Sequence, residues 1–188
     1  MSTRLSRRPA TAVALALFAT STLVLPVAGA DTVTQTITAG IRSASVANLT
    51  LTSVAYSHSA QSTTGTMTLT ADDSTGSNLG WNVTILSSAF VYTGGNGGSN
   101  IPAANFSLTS AAAPTRNAGQ AVDATGGPKV PVVSPVGTLD SARKTVQALI
   151  LFGNGNYSQN LGVSLSIPAQ SATGTYTGTL TTSITAAP

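Results

Sequence analysis

The sequence predicts an all-β protein: a single antiparallel β-sandwich of immunoglobulin-like or Greek-key type, with about eight to ten strands following a cleaved signal peptide. Three observations predict it. Apolar residues recur at every second position in several runs, most clearly in Leu161–Ile167 and Tyr176–Ile184. The polar positions between them are Thr and Ser, and charged residues make up only 7% of the chain. No stretch carries the three-to-four spacing of an amphipathic helix. Side chains on a strand alternate between two faces, and the branched Cβ of Thr suits a pleated surface.

The elements follow in chain order. Thr32–Thr38, Thr-Val-Thr-Gln-Thr-Ile-Thr, alternates as a strand. Leu49–Tyr56 is a second candidate, with Leu49 and Leu51 on one side. Thr66–Ala71 places Met67, Leu69 and Ala71 on one face, and Asp72–Asn78 is rich in turn formers. Trp81, Val83 and Ile85 share the next apolar face. Phe90–Tyr92 leads into a flexible loop, Gly94-Gly95-Asn96-Gly97-Gly98, and Ile101–Ser110 forms a further strand. From Ala111 to Pro135 the alternation fails among prolines and glycines, which predicts a long irregular connection with one short edge strand near Val130–Val133. Long connections in compact domains are often functional, so this one is the loop candidate for binding, with a variable insertion as the equal alternative. Val146–Phe152 is apolar on both faces toward its end, as a covered central strand is; a short helix is the alternative, and the Gly153–Asn156 run would stop it at once. Two half-buried strands around a Pro/Gly connection, Leu161–Ile167 and Tyr176–Ile184, complete the pattern.

The first thirty residues read as a leader. Arg4, Arg7 and Arg8 precede a mostly apolar run, Ala10–Val27, and Ala28-Gly29-Ala30 fits a small-residue cleavage site. Residues 1–30 are therefore expected to be a secretory signal peptide, and residues 31–188 the sandwich domain. The pair Arg7-Arg8 leaves the export route, general or twin-arginine, open. The net charge of +3 rests on that leader. Beyond it Arg42, Arg116, Lys129, Arg143 and Lys144 balance Asp31, Asp72, Asp73, Asp123 and Asp140. A neutral domain without a clustered basic surface argues against nucleic acid as a partner. No second apolar run is long enough to span a bilayer, so no stable transmembrane anchor is expected. The chain has no cysteine, so an exported domain must hold together by its core and its ladders.

Two stretches resemble the WxL domain of bacterial cell-wall proteins. Gly80-Trp81-Asn82-Val83 is similar to the family's Trp-x-Leu strand, with Val83 in place of Leu. The end of the chain, Tyr176-Thr-Gly-Thr-Leu180-Thr181-Thr182-Ser183-Ile184-Thr-Ala-Ala-Pro188, matches the spacing of the second motif through its last proline. Gly155-Asn156-Tyr157, Ile167-Pro168-Ala169 and Gly174-Thr175-Tyr176 also resemble that family, so the likeness runs from about Leu69 to Pro188. Thr182 stands where the family has its second Trp, and Ile184 where it has Leu. The resemblance implies a secreted protein of the cell wall or cell surface that holds peptidoglycan or another wall glycan non-covalently. It also implies possible company from other surface proteins. The residues it points to for ligand contact are Trp81, Asn82, Val83, Tyr157, Tyr176, Leu180, Thr182 and Ile184. The alternative is a structural surface-layer or fibre subunit that assembles through strand edges.

Catalytic chemistry is poorly supplied. His58 is the sole histidine, in Tyr56-Ser57-His58-Ser59 without a nucleophile signature, and every acidic residue is an aspartate. Asp72 and Asp73 are adjacent, so on a strand they point apart and cannot form the carboxylate pair of a glycosidase. Asp72, Asp73, Ser74 and Asn78 offer oxygen ligands, but their spacing does not fit a calcium loop. No catalytic residue, metal or cofactor is expected. Trp81 reads as a core anchor rather than an exposed sugar platform, because Val83 and Ile85 share its face.

Overall fold

The computed structural model describes residues 33–186. Residues from Ile37 onward fold as one compact unit, while Val33–Thr36 belong to a separate one. The leader read at residues 1–30, together with Asp31, Thr32, Ala187 and Pro188, lies outside the described residues.

The architecture is all-β, with antiparallel sheets and a single short 3-10 turn at Ala103–Asn105 among the described residues. The described residues form eleven strands. They are β1 (Arg42–Val46), β2 (Gln61–Asp73), β3 (Trp81–Ser87), β4 (Val91–Thr93), β5 (Phe106–Ala111), β6 (Thr115–Gly119), β7 (Gly137–Thr138), β8 (Arg143–Ala148), β9 (Gly155–Ile167), β10 (Thr175–Thr177) and β11 (Leu180–Ala186). The excess over the expected number comes from pieces of two or three residues, β4, β7 and β10, too short to show a period.

The large sheet runs β1-β2-β9-β5-β7, with β6 also paired to β9; a second sheet runs β11-β3-β8, and β10 pairs with β4 alone. The 13-residue strands β2 and β9 form the spine, paired from Gln61↔Ile167 to Asp73↔Gly155. Their alternation is the reason. β2 turns Met67, Leu69 and Ala71 inward, and β9 turns in Tyr157, Leu161, Val163 and Leu165. Trp81, Val83, Ile85, Val146 and Ala148 of the smaller sheet close the core from the other side. Burying these side chains contributes roughly 1.5–3 kcal/mol each for the large apolar ones. One polar group crosses the core: Gln159 Nε2 donates to Ala112 O at 2.9 Å and to Thr145 O at 3.0 Å, tying β9 to β8.

Several expectations need correction. Residues 33–41 form no strand, and Val33 and Ile37 stand in solvent. Leu49–Tyr56 is also not a strand. Leu49 and Leu51 do face one side, and they lie against Gly65, where an added Cβ would come within 2.9 Å of Leu51 Cδ2. The chain thus covers the sheet with side chains instead of joining its ladder. β2 does not stop before the two aspartates but continues through Asp73, whose buried carboxylate is paired with Arg42.

The run Val146–Phe152 divides at Ala148. β8 flanks β3, which is the central strand, and Leu149, Ile150 and Leu151 are exposed in the turn that follows. Near Val130–Val133 there is no edge strand, only a bridge between Lys129 and Gln147. Ile101 pairs singly with Phe90, and the 3-10 turn separates it from β5. Finally, the two closing runs, Leu161–Ile167 and Tyr176–Ile184, lie in different sheets. The first belongs to the large sheet, and the second breaks at Gly178-Thr179 into β10 and β11, in two different sheets.

Candidate functional site

The two stretches that carry the WxL resemblance lie about a hundred residues apart in sequence and form neighbouring strands. β11 runs antiparallel to β3 with Ala186 opposite Trp81, Ile184 opposite Val83 and Thr182 opposite Ile85. Core-facing Leu180, Thr182 and Ile184 are half-buried, while Trp81, Val83 and Ile85 are fully buried. Thr182 therefore sits across the ladder from a large aliphatic side chain.

Trp81, Val83 and Tyr157 cannot touch a ligand directly, because each is at most 1% exposed. They fill the core. The Trp81 indole N–H donates to Gly153 O at 2.9 Å, and its ring lies 6.1 Å from that of Tyr157, tilted by 44°. Gly153 is required there: its φ is +86°, and a Cβ would sit 2.5 Å from Ala148 Cβ and 2.7 Å from the indole nitrogen. Tyr157 donates its hydroxyl to Gln120 O at 2.8 Å, and burial pushes its phenol above the ordinary value. Asn82 is half-buried on the opposite face, where its Oδ1 accepts from Thr185 Oγ1 at 3.3 Å.

Tyr176 is the one predicted aromatic that is partly rather than fully buried, and the structure gives it a partner. It stands directly opposite Tyr92 in the β10–β4 ladder, with ring centroids 5.2 Å apart. The Gly94–Gly98 loop is folded around Tyr92. Asn96 donates its backbone N–H to the Tyr92 hydroxyl at 3.1 Å and its side-chain amide to Thr173 Oγ1 at 2.7 Å. The Tyr92 hydroxyl donates to Thr173 O at 3.0 Å, and the Tyr176 hydroxyl to Ala172 O at 2.9 Å. Gly98 approaches the Tyr92 ring so closely that a Cβ would lie 2.7 Å from it. The glycine run, read as a flexible loop, is thus a packed collar around an aromatic pair. The pairing across β4 and β10 was not legible, because two three-residue strands over eighty positions apart leave no periodic signal. Both tyrosines are partly buried, with the Asn96 amide and the Thr173 hydroxyl beside them.

A second concavity, about 390 Å³ in volume, lies where the irregular connection ends. Pro131–Pro135 form one wall and Ala142, Arg143, Lys144 and Gln147 the other. Val132 and Val133 are 93% and 83% exposed beside it. Arg143 Nε donates to Thr138 O at 3.0 Å, which fixes the guanidinium near the groove.

The titratable groups are dispersed. His58 is exposed and meets only the edge of the Tyr56 ring. Asp73 is engaged by Arg42 and Thr75. Asp123 accepts the backbone N–H groups of Gly126 and Thr125, which hold its carboxyl below the ordinary value. Asp140 accepts from Thr138 Oγ1 at 2.7 Å. Among the described residues no three His, Cys, Asp or Glu side chains converge on a metal-sized site, and no helix is long and apolar enough to cross a membrane. Comparison of the chain with family models, with curated proteins and with solved structures finds no match in any of the three.

Proposed function

We propose that this protein is a secreted, non-enzymatic cell-surface protein that adheres to bacterial wall glycan, peptidoglycan foremost, in the manner of a WxL domain. The observation that carries the reading is the register of β3 and β11: the two motif-like stretches, distant in sequence, are antiparallel neighbours. The partly buried Tyr92–Tyr176 pair, reached through β10 immediately before β11, supports the reading as the place where a sugar ring would meet aromatic edges. Adhesion by a neutral, Thr-covered face needs stacking and amide hydrogen bonds rather than charge, which suits Tyr and Asn.

The test is retention on purified peptidoglycan sacculi, with an inert β-sandwich of equal size as control. The protein is expected to sediment with the sacculi and to be displaced by soluble muropeptides. Recovery no greater than the control refutes the proposal.

A further inference from the structure

The irregular connection ends in a fixed arch. Pro131 and Pro135 are buried, while Val132, Val133 and Ser134 between them are exposed. The arch is tied at both ends. Just before it Lys129 and Gln147 exchange main-chain hydrogen bonds at 2.8 and 2.9 Å, and just after it Val136 N–H donates to Ser134 Oγ at 3.3 Å. Proline fixes φ and offers no N–H, so at Pro131 the chain leaves β8 instead of lengthening the ladder. The space opened between the arch and Ala142, Arg143, Lys144 and Gln147 is the concavity of about 390 Å³. That volume falls within the range of ligand sites, about 300–1,000 Å³.

The charged residues that line this groove are both cations, Arg143 and Lys144, and neither is neutralised. Among the described residues the one ion pair is Arg42 with Asp73, at another place in the fold. Asp140 accepts the Thr138 hydroxyl at 2.7 Å and does not line the groove. Asp123 is taken up by the N–H groups of Thr125 and Gly126. The Arg143 guanidinium is already oriented. Its Nε donates to Thr138 O at 3.0 Å, and Gly137 lies so close that a Cβ there would be 2.7 Å from Nη2. This leaves both Nη groups as donors for an anion that the chain itself does not supply.

We propose that the groove receives the C-terminal residue of a partner polypeptide, with its free carboxylate at Arg143 and Lys144 and an aliphatic side chain against Val132 and Val133. Charge and apolarity together select this occupant. Two unpaired cations call for an anion, and charge-assisted bonds to a carboxylate are the strong ones. The exposed valines, 93% and 83% accessible, gain only from an apolar partner. A phosphate polymer would satisfy the cations and leave the valines in water. A terminal aliphatic residue carries both groups on one carbon atom. The Gln147 side-chain amide, also in the lining, offers a donor and an acceptor to the peptide group before it. The site does not include the Tyr92–Tyr176 pair and does not rest on the glycan reading.

The test uses labelled pentapeptides ending in Val, Leu or Ile, titrated against the protein by fluorescence anisotropy beside the same peptides with amidated ends. The free-carboxylate peptides are expected to bind about tenfold more tightly than the amidated ones. Arg143→Ala and Lys144→Ala should each weaken them about tenfold, and Arg116→Ala, outside the groove, should change nothing. Val133→Asp alters a side chain that stands in solvent, so the fold is kept, and it should abolish the preference for the free carboxylate. Equal affinity for free and amidated ends, or no binding of either, overturns the proposal. So does poly(glycerol phosphate) binding that Arg143→Ala abolishes while the peptides stay unbound, which would assign the groove to a phosphate polymer.

Discussion

Arg42 Nη2 donates to Asp73 Oδ2 at 2.9 Å, and the two residues stand directly opposite each other in the β1–β2 ladder. The Asp73 side chain is 1% exposed and that of Arg42 14%, so the pair seals the end of the large sheet in a setting where water screens it little. Burial alone would raise the Asp73 carboxyl. The Thr75 hydroxyl, the Arg42 guanidinium and the Thr75 backbone N–H outweigh it and hold the carboxyl below its ordinary value of 3.8.

This pair makes stability depend on acid. A carboxyl whose folded-state pKa is depressed contributes stability above its unfolded value and loses it as pH falls through the folded value. The denaturant midpoint is expected to change little around neutrality and to fall below about pH 4. Asp73→Asn should cost about 2–3 kcal/mol at pH 7, since it leaves Arg42 without its counter-charge, and should flatten the acid limb. Urea titrations of both proteins at pH 7 and pH 3 check this; equal acid limbs would assign the pH dependence elsewhere.

Trp81 is expected to behave as core. Trp81→Ala should cost about 3–5 kcal/mol. Trp81→Phe should cost about 1–3 kcal/mol, because Gly153 O loses its donor inside the fold. The folded protein should emit at short wavelength and resist acrylamide quenching. A solvent-like emission spectrum would place the indole at the surface.

Gly153 holds the same joint from the other side. Gly153→Ala puts a methyl against Ala148 and the indole at a positive φ, and is expected to cost at least about 2 kcal/mol. Gly76→Ala serves as the control. Its φ of +66° is similarly strained but its surroundings are open, so its cost should stay near 1 kcal/mol. Thermal unfolding of the two variants separates strain from collision.

The Tyr92–Tyr176 pair is expected to govern retention on sacculi. Tyr176→Ala should weaken it about tenfold, the effect of losing one stacking contact. Arg143→Ala, in the groove beside Val132 and Val133, should leave retention unchanged if the glycan seats on the tyrosines. The reverse ranking, measured by depletion from solution, would move the adhesive surface to the groove.

How far the sequence reaches can be seen residue by residue. Alternation alone identified Met67, Leu69, Ala71, Trp81, Val83, Ile85, Leu161, Val163 and Leu165 as inward-facing, because on a strand the burial period is local and needs no knowledge of partners. The same rule misread residues 33–38, the described part of the first run, and Leu49–Tyr56, where a strand-like pattern joins no ladder among the described residues, and overran Ala148, where a positive φ at Leu151 turns the chain outward. The tertiary structure decided the rest: that β9 and β11 lie in different sheets, that Tyr92 meets Tyr176, and that Trp81 closes on Gly153. Each of these depends on which strands hydrogen-bond across long separations. That choice is made by the collective burial of both sheets and leaves no mark at the spacing of neighbouring residues.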